Sequence, residues 1–330
     1  MAKVCVIGSA TWDALLTTNQ AKVLKPSKNG PAMMAFSYGA KIDASSTVYT
    51  FGGGAANVSV GLRRLGVPTS IRTHLGSDWR GQEIVNHLKK ERVDVKGITF
   101  DARGHSATAL IVTSGAAVEH VAFVDRGVSS GLVVKPALAS SDYQWFYMTA
   151  ITSPNWYSQL RSFFKQASRR RKKIFWNPGS LQLRESKKMR PLLKYLTVLD
   201  LNLSEAKTLA KELGLKAIGA AQLLLKLRGL GPKIVIITAG SNGAYAYDGK
   251  VMVHYPSFHV KATNTIGAGD AFGSGWLAGY IHSRGNIKTA MHWGMCNSNA
   301  VILKPGAQIG LLKKSEIRRW RQNIAKDNAN

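Results

Sequence analysis

The sequence predicts an α/β fold: a doubly wound, mostly parallel sheet flanked by helices and carrying a small β-sheet lid. Short β-branched runs alternate with amphipathic helical periods along most of the chain, the pattern of a parallel sheet covered on both faces. Two stretches, residues 14–51 and 107–124, break that rhythm and read as extended structure standing off the main sheet. A run of small residues at 267–269 opens a long apolar stretch and reads as a turn feeding a buried helix.

In chain order, residues 4–8 read as a buried strand entering a turn. A helix follows over 55–65, stopped by Gly66, then a strand over 70–75 and a helix over 81–92. Further strands are expected at 144–148, 173–176, 197–201 and 233–238, with helices at about 155–170, 203–213 and 217–228 between them. Residues 108–113 and 119–124 read as a hairpin around Ser114-Gly115-Ala116. Gly52-Gly53-Gly54, where the chain returns to the core, suits a hinge for a lid over a crevice at the carboxyl ends of the strands. Residues 1–330 are expected to form one domain, since no repeat or low-complexity linker interrupts them.

Composition narrows the class. With 330 residues, 45% of them hydrophobic and 19% charged, the chain is globular. No apolar run approaches the roughly 20 residues needed to span a bilayer. The first residues lack the tripartite plan of a secretory signal, so the cytoplasm is the expected compartment. Two cysteines, Cys5 and Cys296, cannot build a disulfide framework or a zinc site. The 45 basic against 18 acidic residues give a net charge of +27, which attracts polyanions. The basic clusters at 169–173, 187–188 and 313–321 read as solvated helix faces without interleaved aromatics, so specific nucleic-acid recognition is not expected.

The chemistry concentrates at Gly267, Ala268, Gly269 and Asp270. Small residues there let backbone amides approach an anion at a helix N-terminus, where the macrodipole also favours negative charge. A carboxylate beside such a cradle is placed to handle a proton, which is what phosphoryl transfer to a hydroxyl requires. A glycine-rich turn with Asp270 as an ordinary first-turn acid fits the same residues.

Six further motifs stand in order before and after this run. They are Gly8-Ser9-Ala10-Thr11-Trp12-Asp13, Phe51-Gly52-Gly53-Gly54-Ala55-Ala56-Asn57, Gly76-Ser77-Asp78-Trp79-Arg80-Gly81, Asn202-Leu203-Ser204-Glu205, Thr238-Ala239-Gly240-Ser241-Asn242-Gly243 and Gly306-Ala307-Gln308. Together they resemble the ribokinase-like carbohydrate kinase family, also called the phosphofructokinase B type, over roughly residues 4–312. The resemblance implies a ribokinase-like fold and an ATP- and Mg2+-dependent kinase that phosphorylates a hydroxymethyl group of a sugar, sugar acid or nucleoside. A nucleoside kinase specifically, and a catalytically idle member acting as a basic nucleic-acid-binding or regulatory protein, are the alternatives.

The resemblance implies Asp270 as the base and the amides of Gly267, Ala268 and Gly269 as the anion hole. It implies Asp13, Gly53 and Asn57 at the substrate, with Arg126 reaching an anionic group on it. Asn202, Thr238, Gly240 and Gly243 fall to the nucleotide, and Glu205 to magnesium held through water. Asn202 and Glu205 are equally spaced for a helix-capping pair. The chain also departs from the family pattern. Gly54 stands where ribokinases proper have a lysine, and Ile151 about where a ribose-contacting glutamate is expected. Asn264 replaces an aspartate and Gly310 a serine beside the family's monovalent-cation site, so no cation requirement is expected. A homodimer through the β-lid would cover its apolar residues.

Overall fold

The computed structural model describes residues 2–24, 32–115, 120–258 and 260–327, with side chains described as far as Trp320. Its centre is an eight-stranded sheet in the order Met252–Tyr255, Ala244–Tyr247, Ile234–Thr238, Val198–Asn202, Lys173–Trp176, Trp145–Met148, Val4–Ile7, Thr69–Arg72. The last six of these are parallel; the two at the other edge form an antiparallel extension. The described residues form ten α-helices, besides short 3-10 turns: α1 (Gly54–Arg64), α2 (Trp79–Lys90), α3 (Trp156–Arg169), α4 (Ser180–Arg184), α5 (Ser186–Met189), α6 (Leu203–Glu212), α7 (Gly219–Arg228), α8 (Ala268–His282), α9 (Ile287–Val301) and α10 (Lys314–Asp327).

Strand alternation divides the core in two. Val4 and Val6 face one side with α1, α2, α8 and α9, while Cys5 and Ile7 face the other with α3, α6 and α7. Every residue of Val4–Ile7 is buried, which is why the strand is apolar throughout instead of alternating. This strand pairs with Trp145–Met148 on one side and Thr69–Arg72 on the other, so the sheet's order reverses at it. Crevices at such reversals, beyond the carboxyl ends of the strands, are where open α/β sheets bind ligands.

The expected strands and helices lie within two residues of the observed ones, with one exception. The single strand expected over 70–75 is divided. Thr69–Arg72 joins the main sheet, but His74–Gly76 turns away to pair with Thr99–Asp101 in a separate two-stranded sheet. The period-two alternation of the buried Ile71, Thr73 and Leu75 continues through the bend, so patterning alone reads the strand as unbroken.

The segments expected to form a lid make a separate four-stranded sheet in the order His120–Asp125, Thr108–Ser114, Thr11–Thr18, Ser46–Gly52, called the lid sheet below. It begins at Thr11, earlier than the expected residue 14, and so takes in Asp13. Thr11–Thr18 pairs in parallel with Thr108–Ser114, a non-local pairing that no local signal announces. The expected hairpin is present, although its apex at 116–119, like residues 25–31 of the first lid segment, lies outside the described residues.

Helix α8, apolar on nearly all sides, is sandwiched between α1 and α9. Glycine permits that closeness: a Cβ on Gly275 would stand 2.7 Å from the Trp293 carbonyl oxygen and 2.9 Å from Asn297 Cβ. Replacing Gly275 with alanine is therefore expected to push α8 from α9 and destabilise the fold by about 1–3 kcal/mol, the usual range for overpacking. Urea denaturation measures it, and an unchanged midpoint would show that the helices yield freely.

Candidate active site

The site begins at the carboxyl end of Val4–Ile7. The carbonyl of Ser9 accepts from the amides of Ala55 and Ala56, so this turn anchors the start of α1. Gly53 is the N-cap of α1 at φ 85, and a Cβ there would approach Ala10 Cα and the Ser9 carbonyl to 2.7 Å. Both the left-handed backbone and the close approach require glycine. Asn57 follows one turn later and is buried.

Asn57 meets the first turn of α8. Its Nδ2 donates to Asp270 Oδ2 at 2.8 Å, and its Oδ1 accepts from Gln308 Nε2 at 2.9 Å. Gln308 Oε1 in turn lies 2.7 Å from His87 Nε2. The polarity of the whole chain follows from its end. A carboxylate can only accept, so Asn57 must present its amide NH2, Gln308 must present its NH2 to Asn57, and His87 must carry its proton on Nε2. Burial holds the His87 pKa below its ordinary value, so the neutral ring is favoured, stacked on Phe51 with centroids 4.1 Å apart. Arg64 fixes the same loop by donating to the carbonyls of Gln308 and Leu311 at 2.7 and 3.1 Å while its fork grips Glu91.

Asp270 is partly buried, and desolvation pushes its carboxyl up to about 6 against the opposing effect of the Asn57 hydrogen bond. Gly267, the N-cap of α8, is left-handed at φ 73, and a Cβ on it would stand 2.5 Å from Ala307 Cβ. Of the amides in the glycine run, that of Ala268 turns back to Thr265 O at 3.3 Å. Those of Gly267 and Gly269 make no backbone hydrogen bond among the described residues. A cavity of about 430 Å3 brings Ala268 and Gly269 together with Thr238, Gly240, Gly243 and Phe258.

Asp13 lies on the lid sheet, 5% exposed, with Oδ1 buried and unpartnered among the described residues. Burial pushes its pKa up to about 6. Gly52 lies against it: a Cβ there would reach 1.9 Å from Asp13 Oδ2. Asn202 and Glu205 form a reciprocal capping box at the start of α6, each side chain accepting from the other's amide at 2.9 Å. Arg126 is exposed after the last lid strand, and no hydrogen bond joins it to the other candidates among the described residues.

Three neighbours escaped the sequence reading. His87 gave no signal, since a histidine in a basic helix is unremarked. Asp200 did give one: it is an acid inside a buried apolar strand. Its pKa is pushed well above the usual carboxylate range by burial first, then by the charges of Glu205 and Asp270. The Tyr147 hydroxyl lies with Asp200 beneath α8, where a Cβ on Gly273 would come within 2.0 Å of it.

Asn264 is buried and joins two loops, donating to the Lys304 carbonyl and accepting from the Ile266 amide. At Gly310 a Cβ would stand 2.5 Å from the Ala300 carbonyl oxygen, so any side chain there is excluded without movement.

Residues 1–314 match the pfkB family carbohydrate kinases. The chain belongs to that family. It is therefore a phosphotransferase acting on an alcohol group, a kinase of the sugar and nucleoside class that uses ATP. Among its relatives, a ribokinase of Staphylococcus aureus (strain COL) is 23% identical over 325 residues, covering 96% of this chain and 98% of the relative. A nucleoside kinase of Methanothermobacter thermautotrophicus is 23% identical over 265 residues, 79% of this chain and 81% of the relative. In fold, the chain resembles Arabidopsis thaliana ribokinase complexed with ribose and ATP, with a TM-score of 0.78 at 16% identity, covering 97% and 98% of the two chains. No described helix is long and apolar enough to cross a membrane.

The raised carboxyls make a stability prediction. A group whose folded pKa exceeds its unfolded value binds more protons folded, so its unfavourable contribution grows as pH rises from about 4 to 6. At Asp13 the rise from the ordinary carboxylate value to about 6 corresponds to roughly 3 kcal/mol at most. Asp13→Asn is expected to raise the melting temperature at pH 7.5 and to leave it nearly unchanged at pH 4. A gain of the same size at both pH values would assign the effect to something other than the buried charge.

Proposed function

We propose that this kinase phosphorylates a hydroxymethyl group of a sugar, sugar acid or nucleoside, with Asp270 as general base. The observation that carries the reading is the setting of Asp270: a carboxyl raised to about 6, oriented by Asn57, in the first turn of a helix whose Gly267 and Gly269 amides are uncommitted. A base with a pKa near the working pH combines the right protonation state with driving force for proton transfer. Asp270 takes the hydroxyl proton, and the amides of Gly267 and Gly269, with Ala268 between them, stabilise the developing negative charge. Asp13 accepts from substrate hydroxyls through its unpartnered oxygen, and Gly53 lets the turn approach them. Arg126 serves an anionic substituent.

Thr238, Gly240, Gly243 and Asn202 hold the nucleotide, whose magnesium complex supplies the transferable phosphoryl group when bound. Glu205 suits magnesium through water. No cluster of three direct ligands exists among the described residues, while Asp200, Glu205 and Asp270 are close enough for the charges of the other two to raise Asp200. Action in the cytoplasm and a homodimer through the exposed lid residues Tyr49, Leu110 and Phe123 belong to the same proposal. The direct test is ATP consumption screened over sugars, sugar acids and nucleosides, with no turnover on any class counting against it.

Two outcomes follow. Asp270→Asn should lower kcat by about 10²–10⁴ while the melt stays cooperative. The base must be ionised, so activity should fall as pH drops through about 6. Asn57→Leu removes the group that favours the ionised form, so the same limb should move to higher pH. An unmoved limb in the Asn57 variant would separate that amide from the base.

The second concerns potassium. Asn264 bridges its two loops with a neutral amide and Gly310 carries no hydroxyl, which leaves backbone carbonyls as the cation ligands. Initial rates at constant ionic strength should be nearly indifferent to replacing potassium by a bulky organic cation. Strong saturable activation would count against this reading of the loop.

A further inference from the structure

We infer that the crevice at the carboxyl ends of α1 and α2, closed by the start of α10, binds the phosphodiester backbone of nucleic acid. It is a concave region of about 1240 Å3 in which eight of the twelve lining residues are Lys or Arg. Arg63 at the end of α1, Lys90 and Arg92 at and just past the end of α2, and Lys314, Arg318 and Arg319 on α10, more than two hundred residues further along the chain, converge there. The one acidic lining residue, Glu91, is already held by the fork of Arg64. The groove is separate from the candidate active site, which lies at the other end of α1, about 15 Å away by helical rise.

Helix electrostatics explain only half of this charge. Cations at the carboxyl ends of α1 and α2 are favoured by those helices' own dipoles. Lys313 and Lys314 are different, because they flank and open the first turn of α10, where the dipole disfavours positive charge, and Arg318 and Arg319, one turn further on, gain nothing from it. Arg63 also has its Nε buried and without a partner among the described residues. This concentration of positive charge gains most from an extended polyanion.

The shape selects the polyanion. A lipid surface is met by a flat or convex face with apolar side chains to insert. None of the large exposed hydrophobic residues lines this groove, whose one aromatic, Trp293, is half-buried at its wall. A concave track of cations suits a chain of phosphates, engaged without reading the bases. Such a site leaves sequence-specific recognition unneeded, and it gives part of the +27 net charge a place to act.

The test is fluorescence anisotropy of the full chain with a labelled 30-base-pair duplex of random sequence, titrated with salt. The groove variant is Arg92→Glu/Lys314→Glu/Arg318→Glu; the charge-matched control is Lys165→Glu/Arg169→Glu/Lys187→Glu, exposed on α3 and α5 beneath the opposite sheet face. Binding should weaken at least tenfold at 150 mM salt in the groove variant, and its salt slope should fall by about 0.9 for each phosphate that is no longer neutralised. The control should weaken much less. Should the triple variant melt early, Lys314→Gln/Arg318→Gln is expected to show the same ordering against its own charge-matched pair, Lys165→Gln/Arg169→Gln. Equal weakening in groove and control variants would reduce the effect to net charge and overturn the proposal. So would groove-dependent sedimentation with phosphatidylserine vesicles in the absence of duplex binding.

Discussion

Among the described residues Asp270 receives one side-chain hydrogen bond, and a chain of side chains from three other elements is arranged to make it. The donor is Asn57, held on α1 by a turn that only glycine at position 53 can close. The acceptor end of Asn57 is occupied by Gln308, whose loop is clamped by Arg64, and Gln308 is oriented by His87. Reversing any one amide would set two donors or two acceptors against each other, at a cost of about 1–3 kcal/mol for each unsatisfied buried group. A single carboxylate thus determines the orientation of two amides and the tautomer of a histidine on a different helix. Coupling of this kind makes the second amide and the imidazole positioning groups, although neither touches Asp270.

The arrangement works against the stability of the fold. Two carboxyls, Asp13 and Asp270, are pushed up to about 6, and burial raises Asp200 well above the usual carboxylate range. Groups so desolvated favour the neutral form, and holding them charged near neutral pH is unfavourable. What offsets this is the thoroughness of burial around them. The central strands bury side chains on both faces, and α8, which carries Asp270, is enclosed between two other helices at glycine-permitted distance. Rigid surroundings are needed because a raised carboxyl in a soft site would draw in water and return to its ordinary pKa.

The fold was legible in the sequence where the signal is local. Short, mostly apolar runs closed by turns mark most of the parallel strands, Val4–Ile7, Trp145–Met148 and Ile234–Thr238 most plainly, and the capping spacing at Asn202 and Glu205 marks α6. The Gly267–Asp270 run was legible as chemistry because small residues and an acid rarely open a buried helix together. Legibility ended where partners are distant in the chain. His87 becomes part of the site only through residues more than two hundred positions away, and the bend after Arg72 depends on pairing with Thr99–Asp101. The basic groove is the same case: the 313–321 cluster reads as a solvated helix face until Arg63, Lys90 and Arg92 are brought opposite it.

The substitutions at 264 and 310 are best understood together. The two loops joined at residue 264 offer one amide N–H, from Ile266, and one carbonyl, from Lys304. Asparagine satisfies both, presenting an oxygen to the first and an NH2 to the second. Aspartate in the same place would satisfy the amide and set an oxygen against the carbonyl oxygen, a repulsion relieved only by a proton or a cation between them. A bound cation and a neutral amide are thus alternative ways to hold the same two strands of backbone. With Gly310 packed against the Ala300 carbonyl, no hydroxyl can complete a cation's shell from that side. The amide makes the bridge permanent, so the loop that positions Gly267 and Asp270 is braced by the chain itself.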